Sequence, residues 1–384
     1  MRRNAVLLVT ISLLSGFGGS AMSLVTGVWI LDLTGSPGRA GLAGLCVYAP
    51  TLAGPWLGAI TDRIPRRPLL VATNLVLAAA LLSLFAVHSA QQAWLIYLVS
   101  FTYGISYVVL DAGESALLPA ALAPQHLGTV NGWRSAAREG MKLLSPLAGA
   151  GLYAWQGGSA VAALSALMPM IVALLYPLLG LTGSATPAAV ERGFRAGLAV
   201  LRARPVLRVT VPLAGVSIAL SGFSTAPGYA VVTEDMHLPS TFLGLLMSAQ
   251  GAGSIVAGLT AGRVVSRHGA IAAGAAGTAL FAAGLLARCL PWWPAIVAGA
   301  VVAGAGLPWT LVAAVTAVQT HTPAHLLGRV SATANTAMFG PIALANPLGS
   351  AAVHLGGRPS LIAAAVACLA AAAVATRLRP GTSG

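Results

Sequence analysis

Apolar runs of about 20 residues recur along almost the whole chain, and short polar breaks separate them. A run of that length is what an α-helix needs to cross the hydrocarbon core of a bilayer. Punctuation and charge place twelve spans, at 5–32, 39–61, 69–88, 93–116, 127–155, 159–181, 206–232, 240–262, 270–288, 293–318, 328–354 and 359–376. The fold class this predicts is all-α integral membrane. Composition agrees: only 8% of the 384 residues are charged, too few to coat a soluble globule of this size. A signal peptide or a single anchor would leave a polar remainder, and these runs leave little. The apolar content excludes disorder. Three cysteines in 384 residues exclude a disulfide scaffold, and Cys46, Cys289 and Cys368 read as small core residues.

The formal charge of +13 is carried by arginine, since only Lys142 among the 21 cations is lysine. Most cations lie between apolar runs, so the membrane surface rather than nucleic acid is the expected partner. With the N-terminus inside, 15 cations fall in cytoplasmic segments, Arg39, Arg288 and Arg358 fall outside, and three lie within span five. Twelve is even, so both termini are expected in the cytoplasm. The predicted location is the inner membrane of a bacterium, multi-pass.

One connection is long. Residues 182–205 contain Phe194, Leu198 and Leu201 at helical spacing, with Arg195 and Arg202 off that stripe. This reads as an amphipathic helix on the inner surface, or as a solvated linker. It divides the chain into six-span bundles at 1–181 and 206–384. The halves repeat: "PQHLG" at 124–128 returns as "PAHLLG" at 323–328, and Gly58, Arg63 and Arg67 return as Gly258, Arg263 and Arg267. Two pseudo-symmetric six-helix bundles are an architecture of secondary transporters.

The residues carry a family resemblance. "GAITDRIPRR", Gly58 to Arg67, resembles the signature loop of the major facilitator superfamily. "WILDLTGSPGRAGL" at 29–42, "ALLPAALAP" at 116–124, "ERGFRAGLAVLRARPVLR" at 191–208 and "QTHTPAHLLGRVSA" at 319–332 are similar to the bacterial exporter branch of macrolide efflux proteins and the enterobactin exporter. Span one lacks the acid that branch often carries there, and "SPLAGAG" at 145–151 matches the span-five motif of drug antiporters only in part.

Gly58 lets span two approach a neighbour closely. Asp62 can face a helix N-terminus or an arginine; by resemblance this is the start of span eleven, which carries Arg329. Arg63, Arg66 and Arg67 suit the anionic inner leaflet. The resemblance implies a gating latch; charge topology alone is the plainer reading of Arg66 and Arg67. The second copy has Gly262 where Asp62 would stand, so the two latches are not equivalent.

Charges inside spans are expensive, about 2.5–3.5 kcal/mol each at mid-membrane, and are functional suspects. Span five carries Arg134, Arg138 and Lys142 on one face, and span four carries Asp111 and Glu114 on another. Depth pairs Asp111 with Arg138 and Glu114 with Arg134, while Glu139 reaches Lys142 along the helix. A static ion-pair cluster is one reading. Reversible protonation at Asp111 or Glu139, with a desolvated Lys142 beside them, is the other.

By resemblance, spans one, four, seven and ten line the central path. That nominates Trp29, Tyr103, Tyr107, Phe223, Tyr229 and Trp309, although aromatic packing between helices explains each equally well. "GAGLPW" at 304–309 weakens span ten and permits bending. The expected function is a proton-coupled antiporter that exports small amphipathic compounds such as drugs or natural products by rocker-switch alternating access. Import of a metabolite and lipid transport share the same fold. A membrane sensor or enzyme is remote, because there is no phosphate-binding loop and no metal-ligand spacing. No cofactor and no metal are expected, only a proton gradient. Partners are a small-molecule solute and lipid, not nucleic acid, and the chain is expected to be a monomer.

Overall fold

The computed structural model describes residues 2–54, 57, 64–180, 194–323 and 326–378. Gly58, Asp62 and Arg63, and the start of the long connection, lie outside them. Helices account for nearly all of the described residues, and no strand occurs among those residues. Nine helices there are long and apolar enough to cross a membrane.

Contacts divide the chain into two compact units. The first comprises Met1–Ala189 with Thr241–Ser248, and the second Val190–Ser240 with Ala249–Gly384. The boundary near residue 190 falls within the expected connection. Grouping 241–248 with the first unit departs from a clean break at 206. Within the first unit Gly244 lies close to Pro146, where a β-carbon would stand 3.0 Å from the Pro146 carbonyl oxygen.

The first unit holds α1 (Arg2–Thr34), α2 (Pro37–Leu52), α3 (Arg66–Ser83) and α4 (Ala93–Ala121). A further helix, Pro124–Leu175, is broken at Gly157, whose φ of 76° only glycine adopts without strain. Its two parts are α5 (124–156) and α6 (158–175). α1 packs along α5 and α6, and one apolar cluster joins Leu8 and Ile11 to Leu117, Val172 and Tyr176. At the end carrying the N-terminus, Asn4 Nδ2 donates to the carbonyls of Ala121 at 2.8 Å and Gly180 at 2.7 Å. Arg67 donates to the Leu179 carbonyl at the same end.

The second unit begins with α7 (Phe194–Ala203). Leu201 is buried with Leu207, Val211 and Val330, and Arg202 is exposed, so α7 is amphipathic and docked rather than a solvated linker. α8 (Pro205–Phe223) and α9 (Thr225–Ala230) form one interrupted span. α10 (Phe242–His268), whose residues up to Ser248 group with the first unit, α11 (Ala270–Ala287) and α12 (Trp293–His321) follow. α13 (Leu327–Phe339) and α14 (Ile342–Ala352) form a second interrupted span, and α15 (Gly357–Arg377) completes the order. With the interruptions counted this way, the helices among the described residues are consistent with twelve spans.

Small residues set the packing of α11 on α12. A β-carbon at Gly277 would meet the Gly306 carbonyl at 2.6 Å, and one at Gly284 would meet the Gly299 carbonyl at 2.6 Å. Ser217, Thr278 and Thr310 link hydroxyls across three helices at 2.9 and 3.3 Å. Both devices hold helices together where water cannot drive them. Pro308 lies inside α12, yet the helix continues. Proline cannot donate to the carbonyl four residues back, which is Gly304. That carbonyl instead accepts from Ser254 Oγ at 2.9 Å, so the expected weak point is braced from α10.

In both units the helix ends opposite the clustered arginines carry exposed tryptophans: Trp94 and Trp155 in the first, Trp292 and Trp293 in the second. Tryptophan at that level marks a membrane–water interface.

Candidate functional site: an intramembrane charge network

Two features of the sequence place charge inside the first unit. α4 presents Asp111 and Glu114 one turn apart, and α5 presents Arg134 and Arg138 one turn apart. Glu114 is buried and accepts from three donors on two other elements. Arg134 and Arg138 both bind its Oε2, the latter at 2.8 Å, and Tyr176 Oη donates to its Oε1 at 2.6 Å. Arg134 is buried as well; its Nε donates to Ser12 Oγ at 3.0 Å and its Nη1 to Asn131 Oδ1 at 3.4 Å. α4, α5 and the turn after α6 therefore meet at one carboxylate, and α1 joins them through Ser12 on Arg134.

The depth pairing of Glu114 with Arg134 is present, but Arg138 does not pair with Asp111 alone. It lies 2.8 Å from Glu114 and 4.0 Å from Asp111, so its principal partner is the buried acid. The reason is reach: residues one turn apart on α5 converge on a single carboxylate from the facing helix.

Burial is uneven across the network. Glu114 and Arg134 are enclosed, whereas the side chains of Arg138 and Asp111 are 40% and 57% exposed. Lys142 is likewise not enclosed by protein, and it has an interaction of its own. Asp111 lies about 15 Å of helix from Ala121, well within α4. Charge left open at that depth is costly against hydrocarbon. The Glu139 and Arg329 side chains lie outside the described residues.

An aromatic group adjoins the open charges. Tyr107 is 57% exposed, one turn from Asp111, and Tyr103 stands one further turn along. Tyr48 of α2 is also exposed and is an electrostatic neighbour of both tyrosines, and Arg138 interacts with the same pair. The sequence reading missed Tyr48, Ser12 and Tyr176. Their only signal is a polar tip within an apolar run.

The other nominated aromatics divide. Trp29 is 6% exposed, and its indole occupies the space that a β-carbon at Gly158 would need. It is a packing residue, which corrects its nomination to the path. Tyr229 is buried in the second unit, against Arg288. Trp309 is half-buried, and its Nε1 donates to the Ala257 carbonyl and to Thr260 Oγ1, both at 3.1 Å, tying α12 to α10. Phe223 is half-buried at the break between α8 and α9. Arg67 is engaged at a helix end, and Arg66 also has a partner.

An all-helical membrane protein of many spans, with a charge network opening on one face inside the membrane, has the construction of a secondary transporter. The Major Facilitator Superfamily model matches residues 8–226 and 213–384, and the chain belongs to that family. Among curated proteins it is similar to macrolide efflux protein A of Streptococcus pyogenes, 24% identical over 48% of this chain and 50% of that one. It is similar to macrolide efflux protein A of Enterococcus faecalis at 26% identity over 42% and 51%. The chain spans about half the length of these relatives. Among solved structures, a bacterial homologue of the iron transporter ferroportin has a TM-score of 0.72 at 17% identity over 98% of this chain and 99% of that one. A D-xylose–proton symporter scores 0.74 at 16% identity over 99% and 98%. The fold is the major facilitator fold.

Proposed function

We propose that this chain is a proton-driven exporter of small amphipathic compounds, an antiporter in a bacterial cytoplasmic membrane. Its arginine-rich helix ends and both termini face the cytoplasm, and it works as a monomer without a cofactor. Local similarity to macrolide efflux proteins supports the direction of transport. The observation that carries the coupling is the shared arginine: Arg138 stands between a buried carboxylate and an open one.

In this reading Asp111 takes the proton. When Arg138 turns fully to Glu114, Asp111 loses its counter-ion and binds a proton from water. When Arg138 returns toward Asp111, the proton leaves. Glu114, Arg134, Ser12 and Tyr176 form the fixed end against which that exchange works. The tyrosines at 48, 103 and 107 offer apolar faces with polar tips, which suits an amphipathic solute. Alternation of the two units then moves solute and proton in opposite directions. The loop from Gly58 to Arg67, with Arg329, serves as the cytoplasmic latch.

The test is accumulation of dyes and macrolides in an efflux-deficient bacterium, with and without a protonophore. Lower accumulation that the protonophore abolishes is expected, and Asp111→Asn and Asp62→Asn at equal protein level should each abolish it. Export by Asp111→Asn that still collapses with the protonophore would remove Asp111 from the coupling. An unchanged panel, with the protein confirmed in the membrane, would favour uptake or lipid movement.

A further inference from the structure

Arg288 of the second unit is placed against expectation. It follows the last residue of α11, where a cation ordinarily serves the helix's own terminal carbonyls or reaches out to water. Instead its side chain runs back into the bundle. Its Cγ lies over Gly299 of α12, 3.0 Å from where a β-carbon would stand. Its Nη2 lies against Gly228 of α9, 2.5 Å from the corresponding position. Gly299 is about 9 Å of helix beyond the start of α12 at Trp293. Two glycines in different helices thus clear the path of one guanidinium, and Tyr229 is buried beside it.

Among the described residues no counter-ion meets it. Arg288 takes part in none of the ion pairs or side-chain hydrogen bonds among the described residues, and its buried Nε is without a partner. Asp235, an acid at the same end, is engaged by Arg358 at 3.4 Å, and Glu234 is exposed. The other ionisable neighbours of Arg288 are Cys289 and Tyr229, which are neutral near pH 7. The Arg288 side chain is half-buried with its Nε enclosed; a guanidinium so placed without an anion is costly, and its planar donors match the two oxygens of a carboxylate or phosphate.

We propose that Arg288, seated on Gly228 and Gly299, is a binding site for an oxyanion, the carboxylate or phosphate group of a solute or of a phospholipid. The site lies in the second unit, apart from the Glu114 network, and does not depend on the direction of transport.

Thermal unfolding of the purified full chain in a neutral detergent tests it. The probes are benzoate, inorganic phosphate and phosphatidylglycerol, each against chloride at equal ionic strength. At least one should raise the Tm saturably, by about 3–5 °C. Arg288→Gln should lose that rise and Arg288→Lys should keep part of it. A rise with benzoate or phosphate assigns the anion to a solute, and a rise with phosphatidylglycerol alone assigns it to lipid. No rise with any probe, or an equal rise in Arg288→Gln, overturns the proposal. Should Arg288→Gln not fold, Gly228→Ala, which fills the seat of the guanidinium, must lose the rise in its place. The readout is binding, so its failure leaves the export reading standing.

Discussion

Glu114 concentrates the energetics of the first unit on one side chain. Its charge is matched by two guanidiniums and its other oxygen by a phenol. Glu114→Gln would leave Arg134 buried without its anion, at a cost of about 3–5 kcal/mol; the check is thermal or denaturant unfolding in detergent, where a large loss is expected. Tyr176→Phe removes one hydrogen bond to a charged group and should cost about 1.5–3 kcal/mol in the same measurement. Arg138→Gln differs in kind. Its side chain is only partly enclosed by protein, so the variant should keep most of its stability and lose proton-dependent transport. The presence of this network was legible in the sequence, because acids and bases one turn apart in apolar runs demand partners. Which residues are enclosed was not. Lys142 and Asp111 look as buried as Glu114 in sequence, and what separates them is the turn after α6, which brings Tyr176 onto Glu114, with Ser12 of α1 on its partner Arg134.

Among elements, α11 and α12 cross at two glycine pairs, 277 with 306 and 284 with 299. Valine at 284 would meet the α12 backbone, so Gly284→Val should destabilise the second unit and lower the amount recovered folded in the membrane, as read by size-exclusion profile. The abundance of glycine announced close packing, but not which pairs meet. Pro308 was legible as a weak point; its compensation by Ser254 was not, because the donor comes from a different helix. The turn between α11 and α12 supplies a chemical readout. Burial pushes the Cys289 thiol up, although Arg288 and Arg358 oppose that shift. A raised thiol holds less thiolate near neutral pH, so maleimide should label Cys289 slowly at pH 7. Labelling should accelerate at a higher pH than for a free cysteine, as a rate–pH series would read.

For the whole molecule, the asymmetry of arginine predicts topology. A phosphatase fused after Gly356 should be active, and one fused after Arg377 should be inactive while a fluorescent protein there folds. The opposite pattern would invert the orientation and with it the reading of Arg66, Arg67, Arg263 and Arg267 as cytoplasmic. The sequence by itself determined that the chain is helical, crosses a membrane many times, repeats in two halves and belongs with transporters. Each of those follows from local properties: run length, charge spacing and motif, all of which act along one stretch of chain. Tertiary structure decided that Glu114 rather than Asp111 is the enclosed acid, that Trp29 packs rather than lines a path, and that Arg288 turns inward over two glycines. Those outcomes depend on which distant helix supplies a hydroxyl, a phenol or an empty glycine face, and no spacing within a single span records that.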